Sequence, residues 1–231
     1  MPIPCYLALT AAEFANVYPM PEKIAWMACH FSCYGKGLSN LPDTLPEGAM
    51  VIVNDRTPPD RHDPRQIADQ LIALAEELKP DGILLDFQRK DIALNREIAQ
   101  LLPQVLPCPV AVTAEYVQST QCAVFLEPPP LHLPPDEHIA LWSGREIWLE
   151  VAPETRKYIV TAKGCALKDA ENEPLPEPVF IEAAAFCRYH TELSDDAAIF
   201  TLQRGNDDLD ALLSQATGIT RAVGLYQQLG V

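Results

Sequence analysis

The stretch from Asp81 to Arg89 holds the residues best suited to chemistry. It reads Asp-Gly-Ile-Leu-Leu-Asp-Phe-Gln-Arg, so an apolar run ends in a cluster of polar side chains. Such a run is typical of a buried parallel strand, whose carboxyl end delivers side chains to a site. Asp86, Gln88 and Arg89 are therefore candidate site residues, and Asp86 is the leading candidate for a carboxylate that faces a ligand.

Several other predicted strands also end in a polar or ionisable residue. If the strands form a (β/α)8 barrel, these residues meet at one mouth, because the site of such a barrel lies at the carboxyl ends of its strands. They are His30 on the second strand, Asp55 on the third, Glu115 and Tyr116 on the fifth, Glu127 on the sixth and Glu150 on the seventh.

Carboxylates that converge in this way suit glycoside hydrolysis. One protonates the leaving oxygen, and the other stabilises or attacks the anomeric carbon. Outside a barrel, a charge at the end of a strand is common and has no such meaning. The candidate catalytic residues are Asp86, Glu115, Glu127 and Glu150, and the candidate ligand-binding residues are His30, Asp55, Gln88, Arg89 and Tyr116.

The same stretch resembles a motif of glycoside hydrolase family 18, the chitinases and their relatives. That family carries Asp-Gly-x-Asp-x-Asp-x-Glu on the fourth strand of a (β/α)8 barrel. Asp81, Gly82 and Asp86 match it, whereas Leu84 replaces the first inner Asp and Gln88 replaces the catalytic Glu. The resemblance implies an α/β fold, a small and degenerate TIM barrel that forms a single domain over residues 1–231.

The resemblance also implies roles for these positions. In the family, the strand-four Glu is the acid, the acetamido group of the substrate is the nucleophile, and the inner Asp, here Asp86, orients that group. Gln88 cannot be the acid, because a carboxamide does not give up a proton near neutral pH. Either the site only binds its ligand, or Glu115, Glu127 or Glu150 supplies the proton. The sequence leaves these alternatives open.

The first half of the chain alternates strands with helices, as a barrel requires. Asp63 and Pro64 predict the start of a helix with an apolar stripe that leads into the Asp81 stretch, which makes a βαβ unit. Asp91 is predicted to cap the next helix. Strands are predicted at 5–10, 24–31, 50–56, 110–116, 122–127 and 146–151.

The second half is more irregular, with reduced helices and a Pro-rich loop. Strands are predicted at 158–162, 186–191 and 198–202, and we expect 198–202 to close the barrel. The others would form an antiparallel insertion near 156–193. An open doubly wound sheet is the alternative fold, but no Gly-rich phosphate-binding turn follows an early strand.

The composition restricts the partners. The 231 residues include 17 basic and 32 acidic ones, for a net charge of −15. This excess argues against nucleic acid and anionic membrane surfaces, which attract Lys and Arg. The expected partner is a small-molecule or carbohydrate ligand.

The seven cysteines, an odd number, sit mostly in apolar runs and predict a reduced, cytoplasmic protein. No cofactor is expected. No metal is expected either, since Cys29 and Cys33 have no second Cys/His pair at zinc-site spacing.

Three functional hypotheses remain. The leading one is a barrel like a glycoside hydrolase that binds a carbohydrate or similar polar small ligand at the strand carboxyl ends, with hydrolysis left open. The second is a non-catalytic binding or scaffold barrel. The third is a barrel enzyme of unrelated chemistry that uses Glu115, Glu127 and Glu150, because a fold does not determine a function.

Overall fold

The computed structural model describes most of the first two thirds of the chain and separate strands beyond it. The described residues are 4–15, 22–33, 36–55, 62–127, 135–151, 155–161, 167–168, 174–175, 188–193, 197–203, 218 and 220–223. They fall into two compact units. The first contains Met1–Glu127, Trp142–Glu150 and Gly218–Tyr226, and the second contains Pro128–Leu141, Val151–Thr217 and Gln227–Val231. The expectation of a single domain stays a prediction.

The described helices and strands follow the predicted alternation. In chain order they are β1 (Cys5–Leu9), α1 (Ala11–Phe14), β2 (Ile24–Phe31), β3 (Leu38–Ser39), β4 (Met50–Asn54), α2 (Pro64–Leu78), β5 (Gly82–Asp86), α3 (Ala93–Val105), β6 (Val110–Thr113), a 3-10 turn (Ala114–Tyr116), β7 (Ala123–Leu126), α4 (Pro135–Ala140), β8 (Ile147–Glu150), β9 (Thr155–Thr161), β10 (Leu167–Lys168), β11 (Pro174–Leu175), β12 (Arg188–Leu193), β13 (Ala197–Gln203) and β14 (Arg221–Val223).

The first unit is a closed barrel of eight parallel strands. Their order is β1-β14-β8-β7-β6-β5-β4-β2, and a further pairing of β1 with β2 closes the ring. The short β3 adds antiparallel to β2 outside the ring. Helices α2 and α3 connect β4 to β5 and β5 to β6, whereas only the 3-10 turn lies between β6 and β7. The predicted small TIM barrel with reduced helices later in the chain is confirmed.

The second unit contains an antiparallel sheet that follows β8 and precedes β14 in the chain. Its strand order is β11-β10-β9-β13-β12. This agrees with the antiparallel insertion predicted near 156–193, although the sheet extends to Gln203.

The prediction that 198–202 closes the barrel is wrong. The strand that contains these residues, β13, pairs antiparallel with β12 on one edge and with β9 on the other. Both of its edges are thus occupied, and none remains for a parallel neighbour. The closing strand is β14, which pairs parallel with β8 and β1.

Helix α2 forms where the sequence predicts it. The Asp63 side chain accepts a hydrogen bond from Arg65 N at 2.9 Å, and Pro64 occupies the first turn, where no backbone donor is needed. Lys79 ends the helix in a left-handed conformation, with φ of 49°. The buried stripe comprises Ile67, Ala68, Leu71, Leu74 and Ala75.

The start of α3 differs from the prediction. Asp91 does not cap the helix; Ile92 is the N-cap residue and no side chain caps it. Asp91 has φ of +56°, and its carboxylate bonds instead to Arg96 Nη2 at 2.6 Å. Asp91 thus belongs to the loop before the helix, a position set by contacts that the local pattern does not reveal.

Apolar side chains fill the barrel. Along each strand, alternate residues point inward, and those of the inward set pack in one cluster. The cluster contains Tyr6, Ala8, Ala25, Met50, Ile52, Leu84, Ala111, Ala123, Phe125 and Trp148. A Cβ at Gly82 would lie 2.6 Å from Trp148 Cη2, so the glycine leaves room for the indole. The helices pack against the outward residues in a second cluster, which includes Val51, Ile83 and Leu71.

The described cysteines divide between core and surface. Cys29 and Cys122 are buried and Cys108 is partly buried, whereas Cys5 and Cys33 are exposed. All five are free thiols. Cys165 and Cys187 lie outside the described residues.

Candidate functional site

A row of polar side chains lies at the carboxyl ends of three neighbouring strands. His30 on β2 is in register with Asn54 on β4, and Asn54 is in register with Asp86 on β5. Asn54 and Asp86 are two residues beyond Ile52 and Leu84, which point into the barrel, so they share the inward face. The structure thus brings the predicted residues His30 and Asp86 to the mouth and adds Asn54.

Gln88 extends this row. Its Nε2 donates a hydrogen bond to Asp86 Oδ1 at 2.5 Å. Gln88 is exposed and Asp86 is half-buried, so both are accessible from the mouth. The pair offers a carboxylate and an amide, groups that bind hydroxyl and amide groups of a ligand but do not supply a general acid.

The loop after β5 is held by side chains from neighbouring strands. Phe87 N donates to Thr113 Oγ1 at 2.9 Å, and Gln88 N and Arg89 N donate to the two carboxylate oxygens of Asp55 at 2.9 and 3.1 Å. Asp55 is only 1% exposed. The structure thus places this predicted ligand-binding residue beneath the loop, where it bonds to the main chain. The Arg89 side chain also bonds there, from Nε to the Asp55 carbonyl at 3.0 Å.

The far end of the loop is held by the 3-10 turn after β6. Asp91 N donates to Glu115 Oε1 at 3.2 Å, and Ile92 N donates to the Tyr116 hydroxyl at 3.1 Å. The same hydroxyl donates to the carbonyl of Arg89. Tyr116 is buried, with its ring edge-on to Phe87 at 5.8 Å between centroids. Glu115 and Tyr116 therefore contact the loop, on the side away from Asp55.

Glu127 and Glu150 occupy another part of the rim. Leu126 pairs in register with Leu149, so the two glutamates that follow lie on neighbouring strands. Each is two residues beyond an inward-pointing aromatic side chain, Phe125 or Trp148, and shares its face. Glu127 is exposed and Glu150 is half-buried.

The first residue of the motif serves the opposite end of the barrel. Asp81 Oδ2 accepts hydrogen bonds from Tyr6 Oη at 2.5 Å and from Lys23 Nζ at 2.9 Å. Burial alone would raise the pKa of Asp81, but the bonds from Tyr6 and Lys23 outweigh it and lower the pKa. The bond to Asp81 raises the pKa of Lys23. Arg221 stacks on the Trp148 ring at 4.6 Å and donates to the Asp81 carbonyl at 3.2 Å.

Sequence reasoning missed Asn54, Asn95 and Thr113. Asn54 could have been found by counting two residues on from Ile52 along the strand. No local signal predicts Asn95, which lies within α3 and is fully buried. Its Nδ2 donates to Asp55 Oδ2 at 2.7 Å. Among the described residues, no group of three or more potential metal ligands is found, and no helix is both long and apolar enough to cross a membrane.

Comparisons with known proteins give structural matches only. No protein-family model matches the sequence, and no curated protein matches it. The spore cortex-lytic enzyme SleL of Bacillus cereus is similar in structure, with a TM-score of 0.52 and 9% identity over 97% of this chain and 70% of that one. A mutant GH18 chitinase of Cycas revoluta, solved with (GlcNAc)4, gives a TM-score of 0.46 and 10% identity over 96% and 94% of the two chains.

At such low identity, a structural match is evidence of the fold alone. The match to SleL covers nearly the whole chain, and the eight parallel strands close as they do in a TIM barrel. The predicted fold is therefore confirmed: the chain is a TIM barrel, and it is similar in structure to SleL.

Proposed function

We propose that this chain binds a carbohydrate, or a similar polar small ligand, at the carboxyl-end mouth of the barrel and does not hydrolyse it. The observation that carries the proposal is the bond from Gln88 to Asp86. An amide stands where the resembled family has its acid, and it is bonded to the carboxylate that orients the substrate in that family. The pair keeps the means to recognise a ligand and lacks the proton donor.

The surrounding groups support recognition of a neutral polar ligand. His30 and Asp86 are half-buried and supply donors and acceptors on either side of the buried Asn54, and binding sites of small molecules typically rely on a few such placed groups. The His30 ring is oriented by a bond from Nδ1 to the Ala28 carbonyl at 2.8 Å. Bonded in this way, Nδ1 carries the proton, so Nε2 is an acceptor when the ring is neutral.

A second motif position, Leu84, also lacks the carboxyl group that the resembled family has there. This side chain is 1% exposed and packs inside the barrel with Met50 and Ile52. The resembled family has a carboxylate there, beneath the one that matches Asp86. Both carboxyl groups that flank Asp86 in the motif are thus replaced by uncharged side chains, which favours binding over hydrolysis.

Titration calorimetry with N-acetylglucosamine oligomers tests the proposal, since the resemblance implies a chitin-like ligand. We expect the wild-type chain to bind and Asp86→Asn to weaken binding about tenfold, which equals about 1.4 kcal/mol. Asp69→Asn is a matched control, because it removes one exposed carboxylate from α2. It should leave the affinity unchanged.

Hydrolysis is measured on the same sugars with a fluorogenic leaving group. We expect no release by the wild-type chain above the buffer rate. Release that Glu150→Gln or Glu127→Gln abolishes would overturn the proposal in favour of an enzyme built on these two neighbours. Absence of binding to any oligomer would also overturn it.

A further inference from the structure

One buried carboxylate sets the path of the main chain at Gln88. Asp55 follows β4, and its two oxygens accept hydrogen bonds from Gln88 N and Arg89 N. Both donors are backbone groups, so the contact does not depend on which side chain stands at position 88. Asp55 is 1% exposed, and a hydrogen bond in the interior is stronger than one in water.

Asn95 holds the carboxylate of Asp55 in place. It is fully buried, and its Nδ2 donates to Asp55 Oδ2 at 2.7 Å. A carboxylate only accepts hydrogen bonds, so the amide nitrogen must face it and Oδ1 must face away. Among the described residues, Asn95 Oδ1 is buried without a hydrogen-bond partner. The bond to Asp55 therefore fixes which way the Asn95 amide faces, although an unpaired buried acceptor costs free energy.

Gln88 is exposed within the loop, and its side chain bonds to the half-buried Asp86 at the end of β5. Tyr116 fixes the loop from the other side through Arg89 O and Ile92 N. Held at both ends, the main chain can deliver the Gln88 amide to Asp86 in one geometry, and a ligand then meets a site that needs little ordering.

We propose that Asp55 is a positioning residue. It holds the Phe87–Ile92 loop so that the Gln88 amide lies against Asp86, and ligand affinity depends on it although it does not reach the ligand. The ligand readout of this inference rests on the proposed function, but its structural readout does not.

Asp55→Asn tests the inference, because it keeps the size of the side chain and removes its ability to accept at both positions. By NMR, we expect the exchange protection of the Gln88 and Arg89 amides to fall at least tenfold. The side-chain amide resonances of Gln88 should shift, and the affinity for the N-acetylglucosamine oligomers should fall at least tenfold. Protection of the amides within β5 should stay within twofold.

Asp63→Ala is the matched control. It also removes a carboxylate that accepts from a backbone amide, at the start of α2. It should lower the melting temperature and leave all Gln88 readouts within twofold. The inference is overturned if Asp55→Asn keeps the Gln88 and Arg89 protection within twofold of wild type, or if the control reduces them equally.

Asn95→Ala keeps the test decisive if Asp55→Asn does not fold. Without the Asn95 donor the carboxylate loses one of its anchors, so protection of the Arg89 amide should fall at least threefold, and unchanged protection would overturn the inference. A wild-type chain that binds no oligomer would refute the proposed function alone, since the exchange measurement still decides the role of Asp55.

Discussion

Asp81 and Asp86, the two aspartates that match the motif, lie at opposite ends of β5. Asp81 bonds to Tyr6 and Lys23 at the amino end of the barrel, and Asp86 bonds to Gln88 at the carboxyl end. In a TIM barrel the amino end serves stability and the carboxyl end serves the site. The motif therefore has a structural half and a functional half, and the two can be tested separately.

The functional half predicts a gain of hydrolysis from Gln88→Glu. The introduced carboxyl would lie beside Asp86, whose negative charge raises its pKa and favours its protonated form. We expect release of a fluorogenic N-acetylglucosamine oligomer at least tenfold above the wild-type rate, and a decline as the pH rises through that pKa. Gln88→Ala is the control and should gain nothing. A variant that binds sugar but stays inactive would contradict this geometry.

A carboxyl at Leu84, the other motif position that lacks one, should destabilise the fold. Leu84→Asp places a carboxyl in the apolar interior of the barrel, where Leu84 is 1% exposed. We expect the free energy of unfolding at pH 7 to fall by about 3 kcal/mol or more, since a buried, unpaired charge is costly. Chemical denaturation measures it. Leu141→Asp, at a side chain 80% exposed, should change stability by less than about 0.5 kcal/mol. Equal effects would show that position 84 tolerates a charge.

Gly82, which belongs to the structural half of the motif, leaves no room for a larger side chain. Gly82→Ala brings a Cβ to 2.6 Å from Trp148 Cη2 and 3.1 Å from the Pro109 carbonyl. We expect a loss of about 1–3 kcal/mol in the free energy of unfolding, typical of an overpacked core. Trp148→Phe should lessen that loss in a double-mutant cycle, because the smaller ring makes room. Additive effects of the two changes would refute this account.

The Asp81 cluster predicts a pH dependence of stability. The folded-state pKa of Asp81 is lower than its ordinary value of 3.8, so its contribution is complete above that value and is lost as the pH falls through the folded pKa. We expect Asp81→Asn to lower the melting temperature by a constant amount from pH 7 to about pH 5, and by less and less at lower pH.

The contribution of Lys23 to stability is lost at high pH instead of low pH. Its folded-state pKa is raised above 10.5, so its contribution is complete below that value and is lost as the pH rises through the folded pKa. The exposed Asp69→Asn variant should show neither trend. A difference between wild type and Asp81→Asn that persists undiminished at pH 2 would contradict the role given to the carboxylate.

Much of the barrel follows from local pattern. The Asp63 cap, the Pro64 start and the stripe of α2 are encoded within one helix, and the apolar runs of β2, β4 and β5 are long enough to show. The motif placed Asp86 and Gln88 at a strand end because a parallel strand leads out of the core at its carboxyl end. These features depend on residues that are near one another in the chain.

Tertiary structure decided what depends on distant residues. The closing strand Arg221–Val223 is only three residues long and shows no period of its own; its partners β1 and β8 define it. The direction of Asp55 is set by Gln88 and Asn95, which are 33 and 40 residues away in the chain. Arg221 meets Asp81 across 140 residues. Which polar residue lies at the mouth and which holds the main chain is therefore determined when the barrel closes, because only then do these donors and acceptors meet.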